Sequence, residues 1–115
     1  MSYITLHSAK LRHNYKVLNQ LFAQNKIEWA IVAKLLCGNE KFLQVLLNLS
    51  DKEIFDSRLS NLKTIKKLSP KTQTIYIKPP AKRLAKSIVK FADVSFNTEI
   101  GTLELLSAEA VKQSK

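Results

Sequence analysis

Several residue types are scarce in this chain of 115 residues, and each scarcity excludes a class of protein. A single cysteine cannot form an internal disulfide, which fits a reducing compartment and predicts a cytoplasmic protein. Two glycines leave few positions for tight turns, which argues against an all-β fold. The first residues have neither a charged start nor an apolar stretch, so we expect no signal peptide. No apolar run is long enough to span a bilayer.

Hydrophobic residues, at 45 %, and positive charge, at +10, are plentiful, and they predict one small domain with a buried core. The charge is concentrated in residues 51–90, which hold eleven Lys or Arg against three Asp or Glu. Such a stretch could attract nucleic acid, or it could equally form the solvated faces of two helices. Apart from Phe55 and Tyr76, no aromatic residue interleaves with these lysines as a single-strand binder would need. We therefore favour solvated faces and expect no nucleic-acid partner.

Short apolar strands alternate with amphipathic helices along the sequence. Residues 3–7 alternate in polarity and predict a leading strand, followed by a helix over residues 8–24 with Ser8 as its N-cap. Four strand–helix units follow. Their strands are predicted at residues 27–34, 53–56, 72–78 and 92–97, and their helices at residues 40–49, 57–68, 81–90 and from 99 onward. The expected N-caps of these helices include Asn39, Asp56 or Ser57, and Thr98.

This order predicts an α/β fold in which parallel strands are joined by right-handed helical crossovers. Residues 1–26 would form the leading strand and helix, and residues 27–115 the four βα units, all within one domain. A closed barrel needs eight such units, and an open sheet of four would leave strand edges and helix faces uncovered. We therefore expect a partial TIM (β/α)₈-type barrel that is either a fragment or is paired with something else.

A single lysine, Lys34, closes the apolar run at residues 27–34, which fits a strand buried on both faces. Desolvation lowers the pKa of an amine and makes it a better nucleophile toward carbonyls, as in lysines that form a Schiff base with pyridoxal phosphate. The alternative is a strand-end lysine whose amine reaches water. Asp56, Arg58 and Asn97 also follow strand ends, where parallel α/β folds build their sites. This convergence favours a functional Lys34.

Four short motifs follow one another along the chain, separated by the predicted strands and helices: residues 11–15 (LRHNY), 32–38 (VAKLLCG), 56–62 (DSRLSNL) and 96–99 (FNTE). Together they resemble the alanine racemase family, the pyridoxal-phosphate enzymes of fold type III, and within it the branch typified by ornithine racemase. That branch pairs its lysine with a Cys-Gly three residues on and has a Ser-Arg-x-x-Asn-Leu element. The resemblance extends over nearly all of the chain.

The resemblance implies a (β/α)₈ barrel that holds pyridoxal 5′-phosphate at the carboxyl ends of its strands. Lys34 would form the Schiff base with the cofactor and act as a base on one face of the substrate's α-carbon. Asp56, Arg58 and Asn97 would lie beside the cofactor. The implied activity is that of a PLP-dependent amino-acid racemase, an isomerase that is a homodimer in the family and has no membrane segment.

Two departures from the family qualify this prediction. Alanine racemases proper have a tyrosine where this chain has Cys37, which moves the expected substrate away from alanine. Family members also continue beyond the equivalent of Lys115 with the rest of the barrel and a β-rich domain, so we expect the chain alone to be inactive.

The alternatives are a non-catalytic PLP-binding module or a basic nucleic-acid-associated domain. His7 and His13 are not expected to bind a metal, and Cys37 is expected to be a small buried residue near the site.

Overall fold

The computed structural model describes residues 1–50 and 52–115. Its centre is a sheet of four parallel strands in the order β1-β2-β3-β4, so each strand pairs with the next strand along the chain. The strands are β1 (Ile31–Val32), β2 (Glu53–Asp56), β3 (Gln73–Tyr76) and β4 (Val94–Ser95). Parallel strands in this order, alternating with helices, confirm the predicted α/β fold and form part of a (β/α) barrel wall.

Helices precede, connect and follow the strands. They are α1 (Ser8–Gln24), α2 (Glu40–Leu47), α3 (Leu59–Leu68), α4 (Ala85–Phe91) and α5 (Ile100–Lys112), with 3₁₀ turns at Lys34–Leu36 and Lys82–Leu84. The predicted cap of α2 is confirmed, because Asn39 Oδ1 accepts a hydrogen bond of 3.1 Å from the backbone N–H of Phe42. Among the described residues, none of these helices combines the length and the apolar character needed to cross a membrane.

The hydrophobic core lies between the helices and one face of the sheet. Burial alternates along β2: Ile54 and Asp56 are fully buried, whereas Phe55 between them is only partly buried. Since successive side chains of a strand point to opposite faces, Ile54 and Asp56 face the helices. The helices cover this face with their own buried apolar residues, chiefly Leu43, Leu46, Leu62, Ile65, Ile88 and Leu106.

The opposite face of the sheet, here called the inner face, carries Val32, Phe55, Ile75 and Val94, which occupy one row of the strand register. Val32 is 52 % exposed and Val94 39 %, and only the central Ile75 is buried. The ring of Phe96, just after β4, contacts the ring of Phe55 edge-on with centroids 6.2 Å apart. The inner face is therefore apolar and only partly covered within the described chain.

Three predicted strands differ from the structure. Residues 3–7 form no strand, and Tyr3 is 87 % exposed, because no described strand lies alongside to pair with them. The apolar run at residues 27–34 contributes only Ile31–Val32 and is not buried on both faces. The strand predicted at residues 92–97 shrinks to Val94–Ser95. Both shortened strands are edges of the sheet, where one neighbour supplies all the pairing.

Three predicted helix caps are also wrong. Helix α3 begins at Leu59 with Arg58 in the cap position and no side-chain cap bond, so neither Asp56 nor Ser57 caps it. Helix α1 begins at Ser8 itself, preceded by His7, which makes no side-chain cap bond. Helix α5 begins after Glu99 rather than at a Thr98 cap, and Glu99 also makes no side-chain cap bond. Within α5, Leu106 is buried but Ile100 is 78 % exposed. Polar residues ahead of a helix thus indicated where it starts, without making the hydrogen bond that defines a cap.

Candidate functional site

Lys34 lies at the carboxyl end of β1, two residues beyond the last strand residue. The backbone N–H of Ala33 donates to the carbonyl of Phe55 over 2.9 Å, which extends the pairing with β2 by one residue before the chain turns. The Lys34 side chain is exposed. The expectation that the strand desolvates this amine is therefore wrong for the described chain, although its place at the rim of a parallel sheet is as predicted.

Residues 33–39, here called the lysine turn, carry Lys34 from β1 to α2. Backbone N–H groups of the turn donate to carbonyls three residues earlier, including Cys37 to Lys34 over 3.2 Å and Asn39 to Leu36 over 3.0 Å. Cys37 and Gly38 both adopt left-handed conformations, with φ of 51° and 73°. Cys37 is exposed rather than buried as predicted, because this tight turn directs its side chain outward.

Asp56, the last residue of β2, is fully buried and engaged within the chain. Its Oδ1 accepts a hydrogen bond of 2.9 Å from the backbone N–H of Arg58, and its Oδ2 accepts one of 3.0 Å from Asn61 Nδ2. The first bond closes a short turn between β2 and α3, of the kind that Asp side chains form with a backbone N–H two residues on. The geometry thus gives Asp56 a structural task on the helix side of the sheet, and a cofactor contact for it stays a prediction.

Gly38 and Asn61 meet between the lysine turn and α3. A β-carbon built on Gly38 would lie only 2.6 Å from Asn61 Oδ1, a separation that real side chains do not tolerate. Glycine is thus required at this position both by the positive φ and by the close approach. Sequence reasoning missed this contact. Its one available signal was the rarity of glycine, since Gly38 is one of only two in the chain.

The other two predicted site residues lie apart from this contact. Arg58 has an exposed side chain, while its backbone serves Asp56. Asn97 follows β4, where its Nδ2 donates to the carbonyl and the hydroxyl of Ser95, both over 3.0 Å. Because β1 and β4 are opposite edges of the sheet, three strand spacings or about 14 Å separate them in a flat sheet. The fold thus brings Lys34 near Asp56 but not near Asn97.

One polar atom at this end of the sheet has no partner. Asn97 Oδ1 is buried and accepts no hydrogen bond from any group in the described chain. Buried polar atoms are normally satisfied, so a lone acceptor is an unusual feature. Its hydrogen-bonding capacity is not used by any of the described residues.

A different arrangement occupies the amino end of the sheet, in the Asp93 cluster of Lys66, Thr74 and Asp93. Asp93 Oδ2 accepts hydrogen bonds from the backbone N–H of Thr74 over 2.8 Å and from its hydroxyl over 3.1 Å, and it pairs with the Lys66 ammonium. Burial alone would raise the pKa of Asp93, but the hydrogen bonds from Lys66 and Thr74 and the charge of Lys66 outweigh it and lower the pKa. Burial also raises the pKa of Tyr76.

Several lysines of the basic region are engaged within the chain. Lys67 pairs with Glu40 over 2.8 Å, and Lys66 pairs with Asp93 and donates to the carbonyl of Thr72 over 2.8 Å. These contacts favour solvated and internally paired helix faces over a nucleic-acid surface. Across residues 1–50 and 52–115, the structure contains no group of three or more His, Cys, Asp or Glu side chains that could hold a metal ion.

The chain is similar to ornithine racemase from Acetoanaerobium sticklandii, with 32 % identity over 112 residues. The match covers 97 % of this chain but 31 % of that protein, so the chain spans about a third of the length of its relative. No protein-family profile matches the chain. No solved structure matches it either. The similarity supports a relationship to a racemase-like family.

Proposed function

We propose that this chain is the lysine-bearing part of a pyridoxal-phosphate-dependent amino-acid racemase, in which Lys34 binds the cofactor. One observation carries the proposal: Lys34 lies at the carboxyl end of a strand in a parallel sheet, in a chain similar over nearly its whole length to ornithine racemase. Parallel α/β folds place their ligands at that end of the strands.

The described residues suit parts of this cofactor. The exposed Lys34 amine is accessible to an aldehyde, and the neighbouring inner face offers Val32 and Phe55 as apolar surface for a ring. The unpartnered Asn97 Oδ1 is an acceptor, so it suits a hydroxyl or a protonated ring nitrogen rather than a phosphate oxygen. The fit is to the aldehyde and ring of the cofactor.

In this proposal Lys34 holds the cofactor and exchanges a proton with the α-carbon of the amino acid on one face. When bound, pyridoxal phosphate supplies an electron sink for the bond broken at that carbon. Racemisation also needs an acid–base group on the opposite face. Asp56 is buried and engaged by Arg58 and Asn61, and Cys37 belongs to the same turn as Lys34. We therefore expect the 115-residue chain alone not to racemise amino acids.

The substrate class follows from the relative and from Cys37. The similar protein is named for ornithine, and Cys37 replaces the tyrosine of alanine racemases proper. We therefore propose an amino acid other than alanine, with ornithine as the first to test, and a cytoplasmic setting. The internal pairing of Lys66 and Lys67 makes nucleic acid the weaker candidate.

The proposal is tested by incubating the chain with pyridoxal phosphate and trapping the product with borohydride. We expect an absorption band near ~420 nm, a property of the cofactor bound to an amine, and peptide mass spectrometry should place the trapped group on Lys34. Lys34→Ala should lose both signals, whereas Lys41→Ala, which removes another exposed lysine, should keep them. Equal labelling of many lysines would contradict the proposal.

A non-catalytic PLP-binding module predicts the same labelling. The two are separated by assaying a protein that contains this chain together with the additional length present in its relative. Racemisation of ornithine, lysine or alanine by that protein supports the enzyme, and its absence in a protein that labels at Lys34 supports the module.

A further inference from the structure

We propose that Asn61 is a positioning residue that holds the lysine turn in place through the backbone of Gly38. The inference rests on the proposed function of Lys34, but the contact behind it involves only residues of this chain. A β-carbon at Gly38 would lie 2.6 Å from Asn61 Oδ1 and 3.3 Å from Asn61 Cγ. The amide of Asn61 is therefore packed directly against the turn.

Asn61 is itself held rigidly. It is 4 % exposed, and its Nδ2 donates over 3.0 Å to Oδ2 of the fully buried Asp56. Because the amide nitrogen of Asn61 is used in this bond, the amide oxygen lies on the side of Gly38. Asp56 is anchored in turn by the backbone N–H of Arg58 over 2.9 Å. The end of β2 and the first turn of α3 thus fix the surface on which the glycine rests.

The turn transmits this contact to Lys34. Its start is fixed by the bond from Ala33 to Phe55, and its end by the Asn39 cap of α2. Between these anchors, the backbone N–H of Cys37 closes onto the carbonyl of Lys34 over 3.2 Å. Asn61 faces the following residue, Gly38, and so limits how far this part of the turn can move. We infer that it sets the direction in which the lysine leaves the strand.

A purely structural role for Asn61 would stabilise α3 without affecting the lysine. The two roles differ in one combination of variants. Gly38→Ala should displace the turn, because its new methyl group collides with the Asn61 oxygen. In the double variant Gly38→Ala/Asn61→Ala the collision is absent but the left-handed φ at position 38 still disfavours alanine, so positioning predicts a partial rescue. A structural role predicts that the double variant is worse than either single variant.

The experiment measures two rates in wild type, the two single variants and the double variant. The first rate is trapping of pyridoxal phosphate on Lys34 by borohydride, followed by peptide mass spectrometry. The second is alkylation of the exposed Cys37 by iodoacetamide, which needs no cofactor. Ile65→Val is the matched control, since it loosens α3 one turn beyond Asn61 without touching the lysine turn.

We expect Gly38→Ala to slow Lys34 trapping about tenfold and Asn61→Ala about threefold, with the double variant faster than Gly38→Ala but not faster than Asn61→Ala. Cys37 alkylation should change in the same order, by at least about threefold in Gly38→Ala. A double variant slower than both single variants, or variants that all match Ile65→Val, would overturn the proposal. If Asn61→Ala fails to fold, as judged by circular dichroism, Asn61→Ser replaces it, since it keeps a donor while freeing the space over Gly38.

Failure of the proposed function gives a different result. In that case wild-type Lys34 is not trapped in preference to other lysines, whereas the alkylation of Cys37 still reports the state of the turn. A rescue seen in the alkylation rates alone would support the positioning contact and reject the cofactor role of Lys34. The absence of rescue in both rates would reject the contact.

Discussion

The polar side chains at the two ends of the sheet differ in how fully they are hydrogen-bonded within the chain. At the amino end, the Asp93 carboxylate is surrounded by donors from Thr74 and Lys66, and these groups satisfy one another. At the carboxyl end, the Lys34 amine is exposed and the Asn97 amide oxygen has no partner in the described chain. The Asp93 carboxylate is thus satisfied within the chain, whereas the Lys34 amine at the carboxyl end is open to solvent. A binding site requires the second arrangement.

The carboxyl end also contains one closed unit, the Asp56–Asn61 pair beneath the lysine turn. This pair is fully buried and satisfied, so it resembles the amino end more than its exposed neighbours. We infer that buried polar pairs stabilise the carboxyl end of the sheet, whereas exposed groups such as Lys34 are the ones that can bind a ligand there. Substitutions that are ranked by their effect on unfolding free energy can test this inference.

The largest effect is expected at Asp56. Asp56→Ala leaves the Arg58 backbone N–H and the Asn61 amide without their buried acceptor and removes the bond that closes the short turn between β2 and α3. We expect the free energy of unfolding to fall by about 2–4 kcal/mol, measured by urea denaturation. Asp56→Asn, which keeps one acceptor oxygen, should lose less. If Asp56→Ala lowered the free energy of unfolding by less than about 0.5 kcal/mol, as substitutions at ordinary surface sites do, the buried Asp56–Asn61 pair would not have the structural role assigned to it.

The Asp93 cluster should come next. Asp93→Ala removes two hydrogen bonds to Thr74 and the partner of Lys66, all at a partly exposed site. We expect a loss of about 1–2 kcal/mol in unfolding free energy, with unchanged trapping of pyridoxal phosphate on Lys34. Thermal and urea unfolding measure the first, and borohydride trapping measures the second. A fall in trapping larger than the fall in folded fraction would show that the two ends are coupled.

The pH dependence of stability sharpens the same comparison with a smaller effect. Since the pKa of Asp93 is lower in the folded than in the unfolded chain, the carboxylate stabilises the fold above its unfolded pKa of about 3.9. This contribution is lost as the pH falls through the folded pKa. The stability difference between wild type and Asp93→Asn should therefore be constant near neutral pH and shrink below about pH 4. Urea midpoints measured from pH 7 to pH 3 test this, and a difference that grows on acidification would reverse the sign.

Sequence reasoning succeeded where the determining contacts are local. Strand β2 was predicted with its observed bounds, and Asn39 caps α2 as expected, because apolar patterning and a cap involve neighbours in the chain. It failed at residues 3–7 and 27–34, where a strand depends on which partner lies alongside. The contact of Gly38 with Asn61 joins residues 23 positions apart and has no spacing signature. The desolvation expected for Lys34 also depended on a cover that the described residues do not supply.

The smallest effect on stability is expected for the residue with the largest proposed role. Lys34 is exposed at the carboxyl rim, so Lys34→Ala should change the unfolding free energy by less than about 0.5 kcal/mol while abolishing the trapping of pyridoxal phosphate. Lys67→Ala is a suitable counterpart, because it breaks an exposed pair with Glu40 that contributes at most about 1 kcal/mol and should leave trapping intact. Urea denaturation and peptide mass spectrometry on both variants give the four values needed. A loss above about 1 kcal/mol in Lys34→Ala, more than an exposed ion pair contributes, would mean that the amine serves the fold. The carboxyl rim would then be as closed as the amino end, and the main reason for placing a site there would be gone.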